Sequence, residues 1–439
     1  MSGRGFAGGT HLDEAKDRTS AKHIEEMPLP PKVVIPLSQH FGAPAEPVVA
    51  VGDLVQKGQL IGKANGFISA NIHASVSGKV TKIAPHPHPI GYNALSIFIE
   101  SDHEDKWVEG LKANESYLDL PPEMIISIAK DAGLVGLGGA TFPANVKLAP
   151  PKDKKIDCLI INGAECEPFL TADHRLMLEK GKEIIEGIKL MMRALSVDKG
   201  IIGIENNKPD AIDKLGSMVK GSGIEVVSLP TKYPQGGEKQ LIKSILNREV
   251  PSGKLPMDVG VVVHNVGTAF ALYEAVRHGH PLIARVVTVT GSAVNTPKNL
   301  LVRIGTPFSF VIEQCRGFVD TPERVIMGGP MMGFAQHSLD VSVIKGTSGI
   351  LAFMPGWEYK PSKACIRCCK CVRGCPMGIR PDLFGIYNER GMVDKAEAEY
   401  ISDCMECGVC TYVCPSNRQN VQSIRTLKGE IRARKAKSR

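Results

Sequence analysis

The sequence predicts an α/β multidomain protein, and three observations carry that prediction. Between residues 155 and 265, short apolar runs alternate with amphipathic stretches. On either side lie β-rich segments punctuated by Gly and Pro. Nine of the twelve cysteines fall in the last 75 residues, around a segment with helical spacing. A chain of 439 residues is too long for one hydrophobic core, so several units are expected.

Residues 1–39 read as an amino-terminal arm. It contains "GGTHLDEAKDRT" (8–19), whose spacing suggests no chemistry. Residues 40–100 have the cadence of short strands, with turns at Gly52-Asp53, Lys57-Gly58-Gln59 and Ser77-Gly78. His86 and His88 in "PHPHPIG" are metal-ligand types, but a polar surface turn is the preferred reading. Residues 101–284 carry the alternation: "KIDCLIIN" (155–162), "GIIGIEN" (200–206), "IEVVSLP" (224–230) and "VGVVVHN" (259–265), with amphipathic segments between them. Such alternation implies a mostly parallel sheet covered on both faces. Residues 285–355 are again β-rich, and "RVIMGGPMMGFA" offers Gly328, Gly329 and Pro330 as a ligand loop or a plain turn. Residues 356–439 form the cysteine-rich unit, entered through a linker at Pro355, Gly356 and Pro361.

Ligands of parallel sheets bind beyond the carboxyl ends of the strands. The loops starting at Gly133, Asn162, Glu205, Lys232 and Asn265 are therefore the candidates. In "GLVGLGGATFPANVKL" (133–148), Gly136, Gly138 and Gly139 would let backbone N–H groups approach a phosphate, and Pro143 suits a following helix start. An ordinary glycine-rich turn explains the same residues. In "INGAECEPFLTADH" (161–174), Glu165 and Glu167 follow a strand. Two carboxylates there would accept hydrogen bonds from ribose hydroxyls and repel a 2′-phosphate, which favours NADH over NADPH. A solvated acidic loop is the bland alternative.

The cysteines are more specific. The pattern C-x2-C-x2-C-x3-C-P occurs twice, at Cys365, Cys368, Cys371, Cys375-Pro376 and at Cys404, Cys407, Cys410, Cys414-Pro415. This is the bacterial ferredoxin run for [4Fe–4S] clusters, in which the fourth cysteine of each run ligates the other cluster. Cys365, Cys368, Cys371 and Cys414 are thus expected to hold one cluster, and Cys404, Cys407, Cys410 and Cys375 the second. Structural zinc uses paired C-x2-C knuckles farther apart and fits poorly. Cys369 is an extra thiol, expected to be buried.

With these motifs in view the chain resembles a known family. "GLVGLGGATFP", "INGAECEP", "YPQGGEKQLI" (233–242) and "HNVGTA" (264–269) follow the order found in the FMN- and NADH-binding subunit of respiratory complex I. With the doubled cysteine run and the first hundred residues, nearly the whole chain resembles the C-subunit of the Rnf ion-translocating ferredoxin:NAD oxidoreductase complex. That resemblance implies a Rossmann-like flavin domain at 101–284, a lipoyl-like barrel-sandwich at 40–100, a soluble-ligand-binding β-grasp domain at 285–355, and an α-helical ferredoxin module. The barrel-sandwich would be no carrier, since Phe67 occupies the attachment position. Gly136, Gly138, Lys147, Asn162, Glu165, Gly236, Glu238 and Asn265 would line a non-covalent FMN. Phe142, Glu167 and Glu238 would meet NAD(H). Ala164 stands where complex I has an aspartate, and Gly237 where it has a glutamate. No residue is assigned as a catalytic acid or base. A flavin suits the chemistry, because NADH gives up a hydride whereas a cubane takes one electron.

The resemblance implies integral-membrane and iron–sulfur partner subunits, ferredoxin as an indirect partner, Na+ or H+ translocation by the partners, and a peripheral place on the cytoplasmic face of a bacterial membrane. No apolar run approaches the roughly 20 residues of a membrane helix, and the first residues lack a secretory h-region. Residues 416–439 hold eight basic residues against Glu430, which equals the whole formal charge of +7. No aromatics interleave this tail, so it is expected to be solvated or docked on a partner, with no nucleic acid. Two other functions fit the same motifs: an NADH-dependent cobalamin reductase of a bacterial microcompartment, and a non-catalytic iron–sulfur scaffold.

Overall fold

Four Ile- and Val-rich runs form one parallel sheet. In the computed structural model, which describes residues 5–111, 113–356 and 360–437, the strand order is Ile224–Leu229, Gly200–Glu205, Cys158–Asn162, Val261–Asn265. Alternate residues face opposite sides, as the two-residue period of a strand requires. Leu159, Ile161, Ile202, Ile204 and Val262 join one core with helices Pro122–Asp131, Gly181–Leu195 and Val266–Tyr273. Ile160, Ile201, Val227, Val261 and Val263 join another with helix Glu238–Leu246. Fully burying each such side chain contributes about 1.5–3 kcal/mol. In Gly181–Leu195 the buried Ile184, Ile188 and Leu195 sit at helical spacing, and Ser196 ends the helix in the left-handed conformation.

The chain leaves Cys158–Asn162 toward Gly200–Glu205 on one side, while Val261–Asn265 lies on the other. The strand order therefore reverses between Asn162 and Asn265, which are paired neighbours at the strand ends. Such a reversal opens a crevice.

Before this sheet lie two smaller antiparallel ones. One orders Lys32–Pro36, Tyr92–Ser101, Gly78–His88 and Leu54–Val55; the other orders Glu46–Pro47, Leu60–Lys63 and Ile72–His73. Val33, Ile35, Ile61, Ile72, Ile97 and Ile99 fill the core between them. Phe67, in the turn after Leu60–Lys63, is 81% exposed. His86 and His88 part company: His86 bonds the Asp340 carbonyl, whereas His88 is buried against the Ser38 carbonyl and stacks on Tyr92.

After the parallel sheet comes a six-stranded mixed sheet, ordered Ile24–Glu26, Lys298–Arg303, Ala284–Thr290, Gly349–Phe353, Arg324–Met327 and Phe334–Gln336. Two strands thus come from the 1–39 segment expected as a separate arm: Ile24–Glu26 edges this sheet, and Lys32–Pro36 edges the first antiparallel one. Strands of three and five residues are too short to show an alternation in sequence.

The cysteine unit is helical, as its spacing predicts: Pro381–Glu389 and Val393–Ala398 join the two runs. The expected linker passes through 357–359, outside the described residues. The basic tail differs from expectation. Asn420–Lys437 is one helix, with Val421, Ile424, Leu427 and Ile431 buried against Phe384, Val393 and Ile401. Its charges are partly paired, Arg425 and Lys428 with Glu406 and Arg434 with Asp394. The spacing of those four apolar residues is amphipathic, but the charge count conceals it. Among the described residues no helix is long and apolar enough to cross a membrane.

Candidate functional site

The crevice at the strand reversal is built from residues far apart in the chain. Asn265 caps helix Val266–Tyr273 by accepting the Gly267 N–H at 2.8 Å, while its amide donates to Asp173 at 2.7 Å. Asn162 donates to the Gly236 carbonyl at 2.8 Å, and its own oxygen accepts the Ala164 N–H. The glycine loop folds over these ends. The Gly136 N–H donates to the Phe142 carbonyl at 2.9 Å, and the Leu137 N–H to Thr268 Oγ1 at 2.9 Å. Gly138 and Gly139 are exposed, and a Cβ on Gly138 would stand 3.4 Å from Asn265 Cβ. Lys147 and Glu238 form a 2.6 Å ion pair across the site. The fold thus brings together Gly136, Gly138, Gly139, Phe142, Lys147, Asn162, Gly236, Glu238 and Asn265.

The two acidic-loop residues have other company than ribose hydroxyls. Glu165 accepts the N–H groups of Asp173 and His174 at 2.7 and 3.1 Å, so it caps helix Ala172–Glu179. Glu167 accepts the N–H groups of Met331 and Met332 at 3.0 and 2.8 Å. The Gly328–Pro330 turn, read as a ligand loop or plain turn, closes on this carboxylate. A Cβ on Gly329 would collide with Glu167 Oε2. Nothing in either local sequence announces that contact, since 164 residues separate its partners.

Burial raises the Glu167 carboxyl to about 7, against the two amide bonds and Lys16, which favour its charged form. The folded value lies above the unfolded one of 4.5. Its stabilising contribution is therefore full below the unfolded value and is lost as pH rises through about 7. The thermal midpoint is expected to fall between pH 6 and 8 more in the unmodified chain than in Glu167→Gln, which is neutral throughout. Equal slopes would contradict this.

Several residues here escape sequence reasoning. Lys16 is buried and donates to the carbonyls of Glu165 and Leu170 at 2.7 and 2.6 Å; burial lowers its pKa. Lys208 and Glu205 are both 1% exposed, 3.5 Å apart, and Lys208 also donates to the Ala164 carbonyl and to Asn207. Asp173 carries a raised pKa from burial and from Glu165. Only Asp173, an acidic residue in the first turn of its helix, leaves a sequence signal.

The cysteines gather in two sets. Cys365, Cys368, Cys371 and Cys414 line one cavity, together with Cys369, Asp382 and Arg418. The other set is more enclosed. Burial first, then neighbouring thiols including Cys375, push Cys404 up to about 11 and Cys407 to about 12; Cys410 is raised by the same causes. Among the described residues no three ligand-type side chains converge as on a single metal ion. The thiolates of a cubane each bind a different iron and stand apart, so a ring of cysteines around a cavity fits a cluster. Cys369 is exposed, not buried as expected. It starts the short helix Lys370–Arg373 in a left-handed conformation, where the chain winds outward.

The enclosed set abuts the crevice. Tyr233 Oη donates to the Cys407 carbonyl at 2.8 Å, and Tyr233, Cys407, Val409, Cys166, Met331 and Met405 pack together. Gln240 donates to the Pro376 carbonyl at 3.2 Å. A Cβ on Gly237 would lie 2.7 Å from Met405 Cε and 2.5 Å from Gln240 Oε1. Both atoms end flexible side chains that can turn aside, so a side chain at 237 would press on the cysteine unit without being barred. Gly237→Glu is expected to displace Met405 and loosen that contact, so that limited proteolysis cuts the cysteine unit modestly sooner; an unchanged cutting pattern would show that the side chains simply turn aside.

Family models match three stretches of the chain. The family described as "RnfC Barrel sandwich hybrid domain" matches residues 4–104, "Nuo51 FMN-binding domain" matches 129–274, and "SLBB domain" matches 286–335. The C-subunit of the proton-translocating ferredoxin:NAD(+) oxidoreductase complex of Clostridium ljungdahlii is 50% identical over 98% of this chain and 94% of its own. This chain belongs to the Rnf complex C-subunit family. The C-subunit of the Na(+)-translocating ferredoxin:NAD(+) oxidoreductase complex of Acetobacterium woodii is 48% identical over 98% of both chains. The C-subunit of the ion-translocating oxidoreductase complex of Rhodobacter capsulatus is 45% identical over 98% of this chain and 84% of its own. A NAD+-reducing [NiFe]-hydrogenase crystal structure has a similar fold, at TM-score 0.50 and 19% identity, over 72% of this chain and 63% of that one. The Rnf relation and the FMN-binding family both agree with the resemblance read from the motifs.

Proposed function

We propose that the chain is the peripheral electron-transfer subunit of a membrane-bound ferredoxin:NAD oxidoreductase complex. The crevice would hold FMN within reach of NAD(H), and partner subunits would couple electron flow to Na+ or H+ translocation. Gly136, Gly138, Gly139, Lys147, Asn162, Gly236, Glu238 and Asn265 would hold the flavin, and Phe142 would lie on the nicotinamide side. A bound flavin supplies the conversion of a hydride pair into single electrons. Glu165 and Glu167 shape the pocket through the backbone they hold.

The observation that carries the proposal is the packing of Tyr233, Met405 and Cys407 at the crevice. It supports reading Cys375, Cys404, Cys407 and Cys410 as the ligands of an inner cluster. Cys365, Cys368, Cys371 and Cys414 hold an outer one, at a face where Cys365, Ile366 and Arg367 are exposed. That face suits transfer to an iron–sulfur or integral-membrane subunit on the cytoplasmic side. Identity to Rnf subunits along nearly the whole chain favours this reading over a cobalamin reductase or an inert scaffold.

The test is anaerobic. Reconstituted protein should carry iron and about one FMN, and NADH should bleach first the flavin and then the clusters. Zinc in place of iron, or flavin that NADH never bleaches, would overturn the proposal.

A further inference from the structure

The amino-terminal motif "GGTHLDEAKDRT" has no task in the proposed function, yet it is among the most heavily bonded segments of the chain. Phe6 is buried, and Lys232 donates to its carbonyl at 2.9 Å with the ammonium 4.7 Å from the ring centroid. The Gly9 N–H donates to the Gly374 carbonyl at 2.9 Å. Thr10 and Tyr233 exchange both backbone bonds, at 2.8 and 2.9 Å. Leu12 packs on the Tyr233–Cys407 cluster. The Glu14 carbonyl accepts the Phe169 N–H, and its carboxylate accepts from Asn207. Lys16 ties the carbonyls of Glu165 and Leu170, Arg18 donates to the Gly291 carbonyl, and Thr171 donates to Thr19.

Within fourteen residues the segment bonds the cysteine unit, the acidic loop, the Lys232–Tyr233 loop and the six-stranded sheet. The approach is closest at Gly8. A Cβ there would stand 2.5 Å from the Cys375 carbonyl oxygen and 2.7 Å from its carbon, both backbone atoms that cannot turn aside. Gly8 also has a φ of 71°, which other residues adopt with strain. Cys375 is the ligand that the inner set borrows from the outer run. A segment that grips both its turn and the loops of the crevice controls the spacing between them, and electron transfer between enclosed centres falls steeply with distance.

We propose that residues 6–19 are a positioning strap that holds the Gly374–Cys375 turn at a set separation from the flavin crevice and so governs electron passage to the inner cluster. This rests on the proposed function for its rate consequence, though not for its mechanical one.

The experiment uses the full chain, reconstituted anaerobically with iron and FMN, in unmodified form and as Gly8→Val and Phe6→Ala. Iron content, FMN content and the rate of flavin bleaching by NADH are expected to match the unmodified chain. The later cluster bleaching should slow about tenfold or more in Gly8→Val, the scale of a small misplacement, and less in Phe6→Ala. Hydrogen exchange, read without NADH, should quicken at 372–378 and 232–236 in both. Cluster bleaching at the unmodified rate in both variants would overturn the strap. So would unchanged exchange, or loss of iron in Gly8→Val alongside normal bleaching and exchange in Phe6→Ala. Failure of the proposed function shows separately, as unmodified protein whose flavin NADH does not bleach; exchange then decides the strap alone.

Discussion

Cys375→Ala is expected to remove about half of the iron and to abolish cluster bleaching by NADH, while flavin bleaching continues. Cys414→Ala should remove the same share, yet keep NADH-dependent bleaching of the clusters that remain. The difference follows from two features. The fourth cysteine of each run serves the other cluster, and the set containing Cys404, Cys407 and Cys410 is the one packed against Tyr233 and the crevice. Loss of the inner cluster interrupts the route at its start; loss of the outer one leaves that start intact. Iron assays and anaerobic absorbance on the two variants make the check. The opposite pattern, with bleaching retained in Cys375→Ala and lost in Cys414→Ala, would mean that each run holds its own cluster.

Lys208→Met should destabilise the flavin domain by about 3–5 kcal/mol, the usual result of breaking a buried ion pair from one side. Lys208 and Glu205 are each 1% exposed, and the ammonium also satisfies the Ala164 carbonyl and the Asn207 side chain. Methionine would leave Glu205 charged or protonated in an enclosed site and orphan both acceptors. Glu205→Gln combined with Lys208→Met should recover part of the loss, because the unpaired charge is gone. Denaturant unfolding followed by flavin release gives the comparison. A loss under about 1 kcal/mol in the single variant would place the pair among weakly contributing surface bridges.

Some parts of this protein are local and were therefore legible. The strands at Cys158–Asn162, Gly200–Glu205, Ile224–Leu229 and Val261–Asn265 match the apolar runs because β-branched residues in short runs favour buried strands. The loops that border the crevice were also legible, since a parallel sheet places its loops at one end. The glutamates show where this reasoning stops. Alternating carboxylates after a strand suit ribose hydroxyls, yet Glu165 caps a helix and Glu167 holds the Met331–Met332 amides. The basic tail is a similar case: Val421, Ile424, Leu427 and Ile431 carry a helical stripe, but its burial depends on Phe384 and Ile401 being present to receive it.

By itself the sequence determined the thiolate spacing and the strands of the parallel sheet. Thiolate spacing and hydrophobic period act over a few residues, and both can be read without a fold. Only the tertiary structure decided which cysteine set faces the crevice and what the amino-terminal segment grips. Those outcomes rest on meetings such as Tyr233 with Cys407, 174 residues apart. Contacts at that separation depend on how the sheets and helices stack, which no local pattern encodes.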